Sequence, residues 1–205
     1  MVRAAHRSGA STLTVDADVV ITPLARDTAR QLKIEFLRVE KNRSKKPSNP
    51  TRSIAIGSDH GGFVYKEQLI PFVRDLGWQV ADVGTNSDKS CDYPDYALKV
   101  ANTVAAAKAD LGIMIDGAGI GSAMACNKVA GIRAACAYNE FTAWNARAHN
   151  DANVLTLGSR TLGIEVCRAI VRVFLTESFE GGRHLGRVRK IDAIGARPGV
   201  HRSEP

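Results

Sequence analysis

Ile113-Met114-Ile115-Asp116-Gly117-Ala118-Gly119-Ile120-Gly121-Ser122 is the stretch on which the reading of the fold turns. Three apolar residues run into an acid, then into glycines at alternate positions, then into residues that suit a helix. Strand, glycine loop and helix in that order open a βαβ unit, and such units lay their strands in parallel. Glycine leaves backbone amides uncovered and free to adopt positive φ, so the loop can wrap an anion with N–H groups. The helix that follows adds its own unpaired amides and positive dipole end. An acid at the rim of that cradle points to proton transfer beside a developing negative charge. Asp116 is therefore the first candidate catalytic residue.

Outward from this stretch, short apolar runs alternate with amphipathic segments from residue 53 onward, which is the pattern of a parallel α/β sheet. The periodicity predicts strands over 53–57, 78–83, 111–115, 132–136 and 153–157. It predicts helices over 63–75, 94–107, 121–129, 139–148 and 163–175, with a last helix over 184–194. The expected fold is a doubly wound (Rossmann-like) five-stranded parallel sheet in a three-layer α/β/α arrangement, with strands one and three as neighbours. Ligands of such sheets bind in the crevice outside the carboxyl ends of those two strands. Ser58-Asp59-His60-Gly61-Gly62 follows strand one and Asp116 follows strand three, so both chemically rich loops land on one crevice.

Ahead of this domain, Lys41-Asn42-Arg43-Ser44-Lys45-Lys46-Pro47-Ser48-Asn49-Pro50-Thr51-Arg52 reads as a linker. The expected division is an appendage over 1–40, a linker over 41–52 and a main domain over 53–205. Within the appendage, Val19-Val20-Ile21 reads as a short extended run. Thr22-Pro23 reads as a helix cap and first turn for a helix over 24–32, and Ile34–Val39 as a second strand. The chain carries a net charge of +7, but residues 1–52 hold 11 Lys/Arg against 5 Asp/Glu while 53–205 hold 17 against 16. The basic excess is thus a feature of the appendage and linker. No aromatic residues interleave with it, so no nucleic-acid partner is expected. No run is long and apolar enough for a membrane span and no apolar signal core opens the chain, so the cytoplasm is the expected location. Cys91, Cys126, Cys136 and Cys167 are scattered without a C-x-x-C pair, which reads as packing thiols rather than a zinc site or disulfides.

Six motifs stand in order along the main domain. They are Gly57-Ser58-Asp59-His60-Gly61-Gly62-Phe63, Asp92-Tyr93-Pro94-Asp95-Tyr96-Ala97, the glycine loop, Asn127-Lys128-Val129-Ala130-Gly131-Ile132-Arg133-Ala134, Ala148-His149-Asn150-Asp151-Ala152-Asn153-Val154 and Gly181-Gly182-Arg183-His184. Together they resemble the B-type ribose-5-phosphate isomerase family, which includes the two subunits of galactose-6-phosphate isomerase. The resemblance covers about 53–194. It implies interconversion of aldose and ketose phosphates through a cis-enediolate without metal or cofactor, ribose 5-phosphate and ribulose 5-phosphate being the expected pair.

The resemblance also implies a role for each candidate. Arg183 and Arg187, read as i,i+4 neighbours on one helix face, grip the phosphate with His60 assisting, and Arg160 is a second candidate. His149 opens the sugar ring as an acid–base, Asp59 and Asn150 hold hydroxyls, and Asp92 and Tyr93 line the pocket mouth. The amides of Gly117, Ala118, Gly119, Ile120 and Gly121 receive the enediolate oxygen. Relatives imply homodimers or homotetramers with shared pockets, so the two arginines are expected to serve a neighbouring subunit.

One position breaks the pattern. Many members of the resembled family carry a cysteine base where this chain has Asp116 and a threonine where it has Ala118. Another branch carries a glutamate base where it has Ser122. Two readings stay open: Asp116 replaces the thiolate as base, or the chain binds sugar phosphate and depends on a cysteine-bearing sister subunit, as the A subunit of galactose-6-phosphate isomerase would. Separately, Asp18–Ala29 resembles short segments on enzymes of bacterial microcompartments. The appendage is accordingly read either as a docking segment for a shell protein or as a plain extension.

Overall fold

The computed structural model describes residues 10–16, 23–39 and 52–195. The chain forms two compact units, residues 1–49 and 50–205. In the first, β1 (Thr12–Asp16) pairs in parallel with β2 (Glu35–Val39), and α1 (Pro23–Gln31) connects them. Ala29 and Ile34 are buried with Leu13, Ala25, Leu32 and Phe36 against them, a very small core. The predicted helix and second strand are present. The partner strand is Thr12–Asp16, whose Thr-Leu-Thr-Val alternation marks a half-covered strand that a search for apolar runs passes over. The predicted extended run Val19–Ile21, the Thr22 cap and linker residues 41–51 lie outside the described residues.

The second unit runs β3 (Ser53–Ser58), α2 (Phe63–Asp75), β4 (Gln79–Asp82), α3 (Tyr93–Ala105), β5 (Leu111–Asp116), α4 (Ile120–Cys126), β6 (Ala134–Cys136), α5 (Glu140–Ala148), β7 (Val154–Gly158) and α6 (Ile164–Thr176). A 3-10 turn (Gly182–His184) then leads into α7 (Leu185–Gly195). All five strands are parallel in the order β4-β3-β5-β7-β6, so the first and third strands of this sheet are neighbours as expected.

The sheet is α/β because its central strands have no wet face. Ile54, Ile56, Ile113, Ile115, Leu155 and Leu157 point to one side and meet Leu69, Val73, Ile170 and Phe174 of α2 and α6. Ala55, Met114 and Val154 point to the other and meet Ala97, Val100 and Ala101 of α3. Strands covered on both faces read as continuous apolar runs, which is why the sequence placed them closely. Among the described residues no helix is long and apolar enough to cross a membrane.

Two close approaches fix the loops at the carboxyl edge. A Cβ on Gly62 would sit 2.2 Å from the carbonyl oxygen of Ile115, so only glycine lets the turn after β3 lie on β5. Gly119 adopts φ +79°, the left-handed region, at the cap of α4. All four cysteines are free, as the sequence reading has it. Burial pushes the Cys126 thiol up to about 12, with the Asp116 charge adding to it, and pushes Cys167 up to about 11.

Two outcomes follow from this packing. Gly62→Ala should lower stability by about 1–3 kcal/mol and the melting temperature by about 3–10 °C, measured by calorimetry, because the β5 backbone must move to admit the methyl group. A thiol reagent at pH 8 should modify Cys91 and Cys136 in the native protein and reach Cys126 and Cys167 only after denaturation. Rapid native labelling of all four, read by mass spectrometry, would contradict the burial.

Candidate active site

Loops from three strands meet at the carboxyl edge. Ser159, just after β7, donates its N–H to the Asp116 carbonyl at 2.8 Å and its hydroxyl to the Gly61 carbonyl at 2.6 Å. The turns after β3, β5 and β7 are thereby stitched into one floor. On it, Asp59 is buried and accepts the Gly62 N–H at 3.0 Å. His60 is half-buried, with Nδ1 3.2 Å from the Cys91 amide, which ties it to the loop over 86–92. Tyr93 lies across the start of α4, so closely that a Cβ on Gly121 would meet its ring at 2.6 Å. Arg160 lies along Gly117, its N–H donating to the Gly117 carbonyl at 3.0 Å. The structure therefore brings Asp59, His60, Tyr93, Arg160 and the glycine loop together.

Asp116 itself is not at the rim of the cradle but inside it. Its Oδ1 accepts the Ala118 N–H at 2.7 Å and also the Gly119 N–H. Its Oδ2 accepts the Ser122 N–H at 3.3 Å and the Ser122 hydroxyl. The side chain is buried. Two of the amides expected to meet a substrate oxygen are thus taken by the chain's own carboxylate, and the rim position read from the sequence is corrected. The cause is local: the left-handed Gly119 turns its amide and that of Ala118 inward, and Ser122 comes round on the first turn of α4. Charge-assisted bonds of this kind stabilise a buried carboxylate by about 1.5–3 kcal/mol each.

His149 is elsewhere. It caps α5, which starts beyond the carboxyl end of β6 and runs back for nine residues, roughly 13 Å at 1.5 Å per residue. The chain then enters β7 at Val154, which pairs with Ala134 at the start of β6, whereas Asp116 pairs with Gly158 at the far end of β7. His149 and Asn150 therefore lie at the amino edge, across the sheet from Asp116. The length of α5 keeps His149 away from the glycine loop of the same protomer.

At the amino edge a second constellation forms. The His149 and His184 rings stack with centroids 4.0 Å apart and planes within 8°. Glu180 Oε2 lies 3.6 Å from His149 Nε2 and 4.0 Å from His184 Nε2. Asn145 Nδ2 meets His149 Nδ1 at 2.9 Å, and Asn150 Nδ2 donates to Asn145 Oδ1 at 3.2 Å. Arg183 lies in the 3-10 turn and Arg187 in α7, so the two do not belong to a single α-helix. Both still act on His184, whose imidazole is held below its ordinary value by desolvation first, then by the charges of His149, Arg183 and Arg187. Arg133 anchors the segment, bonding Asp151 at 3.0 Å and Asp192 of α7 at 2.9 Å.

His149, Glu180 and His184 offer one donor atom each within 4.8 Å, a grouping that sequence spacing did not reveal. It does not suit a metal ion in this arrangement. An ion binds imidazole at about 2.0–2.1 Å, and the nitrogen lone pair that holds it lies in the ring plane. Two parallel rings 4.0 Å apart cannot both aim at one ion. Arg183 Nε, 3.3 Å from His184 Nε2, adds a positive charge at that nitrogen. Proton exchange and anion binding fit these groups better. Ser122, Ser159, Asn145, Glu180 and His184 were not singled out as site residues in the sequence. His184 stood inside a quoted motif, and only the folded chain gives the others partners.

The comparisons with known proteins fall on this domain. Residues 54–191 match the family model described as Ribose/Galactose Isomerase. Ribose-5-phosphate isomerase B of Escherichia coli is 45% identical over 143 residues, covering 70% of this chain and 96% of that protein. Among solved structures, ribose-5-phosphate isomerase B of Clostridium thermocellum is 47% identical with a TM-score of 0.68, covering 69% of this chain and 96% of that one. The type B ribose 5-phosphate isomerase of Trypanosoma brucei is 47% identical with a TM-score of 0.69, covering 70% and 99%. With its parallel sheet, its glycine-loop cradle and a family match over most of its length, this chain belongs to the Ribose/Galactose Isomerase family.

Proposed function

We propose that this chain is an aldose–ketose isomerase of a phosphorylated sugar, with ribose 5-phosphate and ribulose 5-phosphate as its substrate pair. Relatives at 45% and 47% identity that carry the name ribose-5-phosphate isomerase support the pentose pair. The observation that carries most weight is the split of chemistry between the two sheet edges. One edge holds an acid in an anion cradle; the other holds an imidazole pair beside two arginines. Neither alone can open a sugar ring, grip its phosphate and move a carbon-bound proton.

A second copy of the chain joins them. In a symmetric dimer the carboxyl edge of one protomer faces the amino edge of its partner twice over, giving two composite sites. Asp59, His60, Tyr93 and the glycine loop come from one protomer, and His149, Asn150, Arg183 and Arg187 from the other. His149 opens the ring, and the arginines with His60 take the phosphate. The cradle and Asp116 then handle the enolisation.

For Asp116 to act, one anion replaces another. The substrate's carbonyl oxygen takes the Ala118 and Gly119 amides, and the displaced carboxylate swings toward the substrate as a free base. It takes the proton from C2 of the aldose as the C1 carbonyl becomes the enediolate. It then returns that proton to C1 as the O2 hydroxyl proton passes to O1, leaving a C1 hydroxyl and the C2 ketone. The Ala118 and Gly119 amides keep an acceptor through the exchange. This favours an active isomerase over a subunit that depends on a cysteine-bearing sister. In the cytoplasm, residues 1–40 serve as a docking segment on this reading.

In D₂O, the purified chain should exchange substrate hydrogen and interconvert ribose 5-phosphate and ribulose 5-phosphate, followed by NMR. Asp116→Asn should lower the exchange rate by about 10²-fold or more, the usual scale for losing an acid–base group. An unchanged rate in that variant would remove Asp116 as base, and no exchange in wild type would remove the isomerase reading. Co-expressed Asp116→Asn and His149→Asn chains should recover about a quarter of wild-type activity, since half the symmetric dimers are mixed and each mixed dimer has one intact site. No recovery would place both residues in one protomer's site. Deleting residues 1–50 should keep isomerase activity and abolish co-sedimentation with shell proteins; unchanged partitioning would dismiss the docking role.

A further inference from the structure

His149 sits in a cage of side chains to which the reaction above assigns no part. Asn145 meets Nδ1 at 2.9 Å, Trp144 meets the ring edge-on at 4.8 Å, His184 stacks on its face at 4.0 Å, and Glu180 stands 3.6 Å from Nε2. The Asn150 amide, donating to Asn145 Oδ1, turns the Asn145 N–H₂ toward Nδ1. The Glu180 carboxylate faces Nε2. Among the charged groups acting on His184, the ring stacked on His149, Arg183 and Arg187 oppose a proton and Glu180 favours one.

Ring opening moves one proton from the anomeric hydroxyl to the ring oxygen while the bond from C1 to that oxygen breaks and C1=O forms. A histidine does this at a single nitrogen. The imidazolium gives the Nε2 proton to the ring oxygen, and the freed Nε2 takes the anomeric proton, restoring the cation. Turning the Asn145 amide over presents its oxygen to the Nδ1 proton that this cycle keeps. Half of the cycle thus runs through a cation whose ring is stacked at 4.0 Å on His184, with the Arg183 guanidinium 3.3 Å from the His184 Nε2. A neighbouring carboxylate is the group that offsets them.

We propose that Glu180 is a positioning residue for ring opening: its carboxylate holds Nε2 of His149 in place and balances the imidazolium through which the proton passes. The backbone is built for this. Glu180 N–H donates to the Ala148 carbonyl at 3.0 Å, pinning residue 180 to the helix end that bears His149. Gly181 and Gly182, at φ +66° and +52°, then turn the chain so that His184 lies over the same ring. The Glu180 side chain is 51% exposed, so its replacement leaves the core untouched.

The proposal rests on the isomerase reading and is tested by separating ring opening from enolisation. Ribulose 5-phosphate has its 5-hydroxyl esterified, cannot close a furanose ring, and reaches the enediolate without an opening step. Glu180→Gln should lower kcat on ribose 5-phosphate about 10- to 100-fold with KM changed less than about twofold. In the same variant, deuterium wash-in at C1 of ribulose 5-phosphate in D₂O should stay within about twofold of wild type. Glu180→Asp should recover part of kcat. An unchanged kcat in Glu180→Gln, or a parallel fall in the wash-in, overturns the positioning role. Absence of wash-in in wild type overturns the isomerase reading and this proposal with it.

Discussion

Every helix between two strands of a parallel sheet must start where one strand ends and finish where the next begins. That constraint governs the whole site. Residues on loops after strands collect at the carboxyl edge, and residues at the ends of returning helices collect at the amino edge. In this chain Asp59, His60 and Asp116 obey the first rule and His149 the second. Two half-sites on opposite edges follow from chain connectivity alone. In the dimer proposed above a second copy completes them, so the need for a partner follows from topology rather than being an addition to it.

The carboxyl edge shows how a substitution can be absorbed without dismantling a loop. A carboxylate buried among amides needs donors, and the glycine loop is made of them. Asp116 therefore folds into the cradle, where Ala118, Gly119 and Ser122 satisfy it. Ser122 is the partner that makes this stable, because its hydroxyl supplies what the backbone amides leave unmet on Oδ2. An apolar residue there would leave that oxygen with a single longer bond. The acid and the serine are thus one feature, and the loop is held ready by its own side chain until a substrate oxygen competes for the same amides.

Much of this was legible in the sequence, and the failures have physical reasons. The three central strands of the main sheet stand out because both faces are covered, so their apolar runs are unbroken. Strand β1 was passed over because one covered face leaves only alternation. The crevice loops were placed correctly because a strand end fixes its loop to within a residue or two. The edge on which His149 lies was not legible because adjacency to a motif says nothing about which edge a helix end reaches; nine residues of α5 decide that. Arg183 and Arg187 were assigned to one helix because spacing cannot show where a 3-10 turn gives way to an α-helix. The inward turn of Asp116 depends on a positive φ at Gly119, which a glycine permits and does not require.

The same reasoning explains why Glu180 escapes a motif search yet matters to the geometry. It precedes the Gly-Gly-Arg-His segment and touches nothing in sequence that looks catalytic. Its importance arises only when two left-handed glycines fold His184 back over His149 and leave one carboxylate facing two imidazoles. The stacked His184 ring, with the Arg183 guanidinium beside it, disfavours the His149 cation that the proposed ring opening needs. The amino edge therefore has a conflict built into it. On the proposed function, arginines that take a phosphate dianion work against the histidine that opens the sugar ring, and a single carboxylate of opposite sign lets one surface serve both.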